Sequence, residues 1–185
     1  MAQSVVDCLT RVFGESGIQR ISDDFGDLTI WVDRERVHAF LERCRRDPEL
    51  SFEFCMDVTA VDHLPLQGDP RFAVVYHLYS LTTGKRLRVK TGVPESDPVV
   101  PTVTDIWKSA DWFEREVYDM FGIRFEGHPN MKRILCHQEF VGHALRKDYP
   151  ADLRWKSRQP DDLVDEISPQ EMERIHANVR KGLSD

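Results

Sequence analysis

The sequence predicts an α+β domain, a mostly antiparallel sheet with helices packed on one face, followed by a long irregular loop and an extended C-terminal tail. Three observations predict it. Three β-type runs follow one another through short turn-like links, stretches with helical spacing stand before and after them, and periodicity stops after Gly122.

Val5, Val6, Leu9, Val12 and Phe13 recur at the spacing of an amphipathic helix, and Gly14 supplies a C-cap. Leu28 to Val32 is short, β-branched and aromatic, so it reads as a strand. Asp33 can cap a helix carrying Val37, Phe40, Leu41 and Cys44, which must end by Asp47-Pro48 because the residue before a proline avoids the α region. Phe52 to Val61, Phe72 to Leu81 and Arg86 to Val93 are the three strands. Leu66 to Pro70 and Thr83 to Lys85 separate them, and links this short make antiparallel neighbours. Three prolines between Val93 and Pro101 make that stretch a crossing loop without regular structure. Thr104 or Ser109 then caps a helix with Phe113, Val117, Met120 and Phe121 on one face, and Gly122 stops it. The expected organisation is an α+β domain over 1–122, an irregular loop over 123–150 and a tail over 151–185. The tail ends in a short helix announced by the capping box Ser168-Pro169-Gln170-Glu171.

Composition narrows the function. With 41% hydrophobic and 31% charged residues and a mean hydropathy of -0.47, the chain is ordinary for a soluble globular protein. No run approaches the ~20 apolar residues that span a bilayer, and the N-terminus lacks the basic and apolar regions of a secretory signal, so the expected location is the cytoplasm or the cytoplasmic side of a membrane. A net charge of -7 argues against a nucleic-acid partner, since counterion release needs clustered Lys and Arg. Cys8, Cys44, Cys55 and Cys136 contain no C-x-x-C pair, which excludes the local frameworks of zinc ribbons and ferredoxin-type clusters. A G-x-G-x-x-G phosphate turn is also missing, so no flavin, nicotinamide or iron–sulfur centre is expected in this chain.

The densest pattern starts in the last predicted helix. Glu114-Arg115-Glu116-Val117-Tyr118-Asp119-Met120-Phe121-Gly122-Ile123 leads into Phe125-Glu126-Gly127-His128-Pro129, then Arg133-Ile134-Leu135, then Leu145-Arg146-Lys147-Asp148-Tyr149-Pro150. These motifs, spread over about forty residues, resemble the signature of the C subunit, the 30 kDa subunit family, of respiratory complex I, the NADH:quinone oxidoreductase. One departure is visible at Gly142-His143-Ala144-Leu145, where the family commonly has Gly-x-Pro-Leu; losing the proline loosens the local backbone.

The resemblance implies a cofactor-free structural subunit in the peripheral arm of a proton-translocating complex. FMN and iron–sulfur clusters would sit in partner subunits, and the partners would be chiefly the D subunit and the neighbouring iron–sulfur subunits. Membrane contact would come only through the complex, on the cytoplasmic side of the inner membrane. An equivalent subunit of a membrane-bound hydrogenase, or of a quinone oxidoreductase fed by another donor, is the alternative. The partner-interface residues are then Glu114, Arg115, Glu116, Asp119, Gly122, His128, Arg133, Arg146, Lys147, Asp148 and Tyr149. On the helix, Glu114, Glu116 and Asp119 are expected to project away from the apolar face. Arg115 is expected to pair with Glu114 or with Asp119 at i+4 and to hold a desolvated charge. A competing reading is a stand-alone metal-dependent enzyme using His128, His137 and His143, with Cys136 beside them, but adjacent Cys136 and His137 cannot easily face one ion.

Overall fold

The computed structural model describes residues 2–13, 18–24, 26–64, 70–137 and 140–150. The Gly14 cap, most of the Leu66–Pro70 turn and the tail with its Ser168 helix lie outside the described residues. The described residues up to Tyr149 make one compact unit.

The chain runs α1 (Ala2–Phe13), β1 (Arg20–Asp24), β2 (Asp27–Trp31), α2 (Val37–Arg46), β3 (Phe54–Asp62), β4 (Phe72–Tyr79), β5 (Arg86–Val93), β6 (Val99–Pro101), α3 (Ala110–Phe121) and β7 (Arg124–Glu126). Five strands form one sheet in the order β1-β2-β5-β4-β3. The expected run of antiparallel neighbours holds for β3, β4 and β5, but β2 pairs with β5 in parallel, so the sheet is mixed. The reason is topological. The crossover through α2 carries the chain from β2 to the far edge, and two hairpin reversals return β5 to lie beside β2 in the same direction.

Period-2 alternation explains which face is buried. Phe72, Val74, Tyr76 and Leu78 of β4 and Leu87, Val89 and Val93 of β5 share one core with Val5, Cys8 and Leu9 of α1, Val37, Phe40, Leu41 and Cys44 of α2, and Val117, Met120 and Phe121 of α3. Cys55 and Val58 both join that core although they differ in parity, because an irregularity between Cys55 and Asp57 resets the register of β3. On the opposite face, Gly92 lets Pro70 lie flat on β5; a Cβ there would sit 2.3 Å from the proline ring. Cys8, Cys44 and Cys55 are buried free thiols, and burial raises the pKa of each.

Four local expectations change. β1 is not foreseen from sequence because Arg-Ile-Ser-Asp-Asp has no apolar alternation; it is a charged edge strand paired only to β2. Asp33 does not cap α2; its carbonyl accepts from Arg36 in a turn, and the helix starts at Val37. Ser109 stands at the start of α3 but donates its hydroxyl to the Cys55 carbonyl (3.2 Å) instead of capping. The proline-rich stretch does hold regular structure, since β6 pairs in parallel with β7 across a separation of 25 residues. Its proline is the last paired residue, where a missing N–H is tolerated.

Candidate partner interface

Helix α3 positions the site. Its apolar face points into the core, and Gly122 ends it in the left-handed region at φ 78, its amide bonded to the Tyr118 carbonyl at 2.9 Å. The C-terminal end of the helix is then covered by the later part of the chain. Arg146 Nε donates to the Phe121 carbonyl (2.6 Å), the Leu145 amide to the Met120 carbonyl (3.0 Å), and His143 Nδ1 bonds the Asp119 carbonyl (3.0 Å). These are the orphan carbonyls of a helix C-terminus, satisfied by a segment whose sequence shows no period of its own. A Cβ on Gly122 would lie 2.5 Å from His143 Nε2 and 2.7 Å from Arg146 Nη2, in addition to the φ penalty. Gly122→Ala is therefore expected to destabilise the subunit by about 1–3 kcal/mol, read as a lower midpoint in chemical unfolding at unchanged slope.

Asp119 is the main junction. It is fully buried and does not project from the helix into solvent as its place in the sequence led us to expect. One carboxylate oxygen accepts the successive amides of Ile134, Leu135 and Cys136 at 3.1, 2.8 and 2.9 Å, and the other accepts Arg133 Nη1 at 2.7 Å. Successive amides converging on one oxygen make an anion-binding nest. Burial works to raise the Asp119 pKa, but those amides and the guanidinium outweigh it and leave it below the usual carboxylate range. Arg133 also donates to the Gly142 carbonyl (3.0 Å) and covers the Phe140 ring, which in turn stacks on Tyr149 at 5.6 Å between centroids. Gly142, at φ 91, leaves room for that tyrosine.

Arg115 does something else. It donates to the carbonyls of Lys132 (3.0 Å) and Arg133 (3.4 Å) and lies over the exposed Trp112 ring, so the expected pair with Glu114 or Asp119 is replaced by backbone bonds. The buried ion pair belongs to Arg133 because four donors from residues 133–136 meet at Asp119, and a single i,i+4 contact contributes far less. Glu114 is likewise buried, again contrary to the expected outward face. Glu116 is exposed as expected.

A second junction was not foreseen from sequence. Arg71, nearly buried, meets Asp62 through Nε (3.2 Å) and Nη2 (3.0 Å), reaches Asp148 (2.7 Å), and pairs with Glu95. The Lys147 amide also donates to Asp62 (2.9 Å). The guanidinium groups of Arg71 and Arg146 both lie over the Phe72 ring. Burial works against the Asp62 charge, yet Arg71 and the amides of Lys147 and Leu64 take its pKa down to about 2. On the Asp62–Arg71 side sequence gives no sign of this junction beyond the two charged residues that flank the β3–β4 connection, whereas Lys147 and Asp148 belong to the motif. Its members lie up to 86 positions apart, from Asp62 to Asp148.

The histidines are held separately. His128 Nδ1 faces the Asn130 amide (3.0 Å) and its Nε2 the Asp111 carbonyl (3.2 Å), whereas His143 sits at the end of α3. Among the described residues no three His, Cys, Asp or Glu side chains are grouped as metal ligands. Three large apolar side chains of the segment, Leu135, Val141 and Leu145, are exposed, as is Trp112 on α3.

Comparison with known proteins agrees with this geometry. Residues 30–154 match the family described as respiratory-chain NADH dehydrogenase, 30 Kd subunit. The C subunit of the NADH-quinone oxidoreductase of Geobacter sulfurreducens is 49% identical over 136 residues, covering 73% of this chain and 80% of that one. The combined C/D subunit of the NADH-quinone oxidoreductase of Methylococcus capsulatus is 37% identical over 180 residues, which is 94% of this chain and 30% of the longer polypeptide. Among solved structures, the trypsin-resistant fragment of Nqo5 is similar with TM-score 0.59 and 41% identity, over 70% of this chain and 99% of that fragment. A chain of the archaeal membrane-bound sulfane sulfur reductase is similar with TM-score 0.66 and 28% identity, over 80% and 85%. With the family pattern covering most of the chain and its motif residues building both sides of the α3 junction, this protein belongs to the 30 kDa subunit family of the respiratory-chain NADH dehydrogenase.

Proposed function

We propose that the chain is a structural subunit without a redox centre of its own, in the peripheral arm of a proton-translocating NADH:quinone oxidoreductase. In this reading its neighbours hold FMN and the iron–sulfur clusters that carry electrons from NADH to quinone. The observation that carries the proposal is how the signature segment is built: its charged groups hold its own backbone against α3, while Leu135, Val141, Leu145 and nearby Trp112 face outward. A surface of fixed shape with apolar anchors suits docking better than turnover. The D subunit is the first partner to consider, because in relatives named for a combined C/D subunit the region matching this chain is part of a longer polypeptide. Among the described residues no helix is long and apolar enough to cross a membrane, and in this reading the membrane is reached through those partners, on the cytoplasmic side. Glu116 and Lys147, both exposed, extend the proposed surface at its charged rim.

The test is a double substitution at exposed positions, Leu135→Glu with Val141→Glu, which leaves the fold's buried contacts untouched. Native gel electrophoresis of membranes is expected to show a several-fold loss of assembled complex, with quinone reductase activity per assembled complex unchanged. Full assembly with a large fall in turnover per complex would mean that the segment takes part in the reaction, and full assembly with normal turnover would remove it from the interface. A second reading keeps the role and changes the machine. The likeness to a sulfane sulfur reductase chain favours it, since the same architecture would then serve another electron-transfer complex. Assaying the intact complex with NADH against other donors separates the two.

A further inference from the structure

Among the described residues, the buried side chains of α1, α2 and α3 all join the core on one side of the five-stranded sheet. The other side carries the alternate residues of its strands, and Ala73 and Val75 are buried there outside the core. The registers set Phe54, Tyr79 and Arg86 side by side, then Asp57, His77 and Arg88, then Thr59, Val75, Lys90 and Trp31. Strand β5, central in the sheet, therefore runs Arg86, Arg88 and Lys90 down the middle of this face at the period of two. Two aromatic rings steady the row: the Arg86 guanidinium lies 6.0 Å from the centre of Tyr79 and the Lys90 ammonium 5.5 Å from that of Trp31. A ring attracts a cation without cancelling its charge. Arg88 differs, since it donates to the Asp27 carboxylate (3.0 Å) and the Thr29 hydroxyl (3.2 Å). From β2 to β3 this face thus sets three cations against Asp27 and Asp57, a positive surface in a chain of net charge -7.

We propose that this face, centred on β5, docks an acidic segment of a neighbouring subunit, with carboxylates on Arg86 and Lys90 and an apolar side chain in the cleft at the end of the same strands. That cleft, of about 630 Å³, lies where the Gly26 and Gly84 turns meet, and Leu28, Leu78 and Leu87 line it beside Arg86 and Arg88. Phe54 and Val61 add exposed apolar surface along β3. Arginine and aromatic side chains grouped in this way are the residue types that carry interface energy. The electrostatics point to an acidic occupant: burial, followed by the Arg88 cation, lowers the His77 pKa and outweighs Asp57 and Asp27. A carboxylate brought to the row meets cations already held in place by their rings, so little side-chain freedom is lost on docking. None of these residues belongs to the motif, and the surface is separate from the one that Leu135 and Val141 expose.

The inference rests on the assembly reading for the existence of neighbouring subunits, but not for the surface. It is tested on the intact complex purified in detergent, with a water-soluble carbodiimide that joins a lysine amine to a carboxylate in direct contact with it. Mass spectrometry is expected to find Lys90 or Lys85 joined to an aspartate or glutamate of another subunit. Acetylation of both lysines should be several-fold slower in the complex than in the free full chain. Arg86→Glu, which reverses the charge of an exposed side chain, should reduce the cross-link several-fold while the unfolding midpoint of the free chain stays in place. Should that variant not fold, the wild-type labelling still decides. Cross-links confined to this chain or joining two copies of it overturn the proposal, as do lysines acetylated equally fast in the complex and alone. Protection seen in membranes and lost in detergent, with no cross-link, assigns the row to an anionic lipid headgroup and also overturns it. Unprotected lysines together with lost assembly in Leu135→Glu with Val141→Glu would remove this surface and leave the assembly reading standing.

Discussion

Asp119→Ala is expected to cost the folded subunit about 3–5 kcal/mol, the largest loss from any single truncation in the motif. The substitution removes the acceptor of the Ile134, Leu135 and Cys136 amides and leaves the Arg133 guanidinium without its carboxylate partner. Unsatisfied buried donors cost more than the bonds they made, so the effect exceeds that of a surface pair. Urea unfolding followed by fluorescence reads it as a lower midpoint. Asp119→Asn should recover part of the loss, since one amide oxygen still accepts backbone N–H groups while the charge pairing with Arg133 is gone. Arg115→Ala, at the residue expected from the motif to hold the desolvated charge, is expected to cost less, because Arg115 bonds two carbonyls at the partly exposed helix surface. A loss at Arg115 equal to that at Asp119 would contradict this assignment of the buried pair.

Arg71→Met is the second large effect, also about 3 kcal/mol or more. Asp62 would remain fully buried with backbone amides alone, and Asp148 and Glu95 would lose their common cation. The pH dependence gives an independent readout. The Asp62 pKa is depressed in the folded state to about 2, so its contribution is present above the unfolded value near 3.9 and is lost as pH falls from there through 2. The amount is about 2–3 kcal/mol, and in Arg71→Met most of that acid-range slope should vanish. Thermal unfolding of both proteins across the acid range, from below the folded value to above the unfolded one, measures it. An identical slope in the two would mean that Asp62 is held down by its amides and not by the arginine.

What could be read from the sequence follows the reach of each interaction. Helix α3, its stop at Gly122 and strands β4 and β5 depend on periods of a few residues and on one left-handed position, so the pattern carries them. The α+β class follows from the same local signals. Strands β6 and β7 have three residues each and find one another across α3, too short for a period and too far apart for a turn rule. The burial of Glu114 and Asp119 was hidden for a related reason. A helical wheel places carboxylates outside unless their partners are known, and those partners are groups of residues 102–103 and 133–136. The motif therefore marked the right segment while assigning the ion pair to the wrong arginine. Arg71 and Asp62 carry no motif at all, and only the folded chain brings them to Asp148.

Strand β3 closes one margin of the five-stranded sheet, and a bare margin of that kind is a template for other chains. Here the Glu53 carbonyl just before the strand accepts Trp107 Nε1 at 3.1 Å, and the Cys55 carbonyl accepts the Ser109 hydroxyl. Side chains from the approach to α3 thus occupy acceptors that an incoming strand would need. The opposite margin, β1, is charged and polar. A subunit made before its partners arrive has both of these protections against stacking edge to edge with its own copies, and the first depends on two side chains that lie outside the family motif.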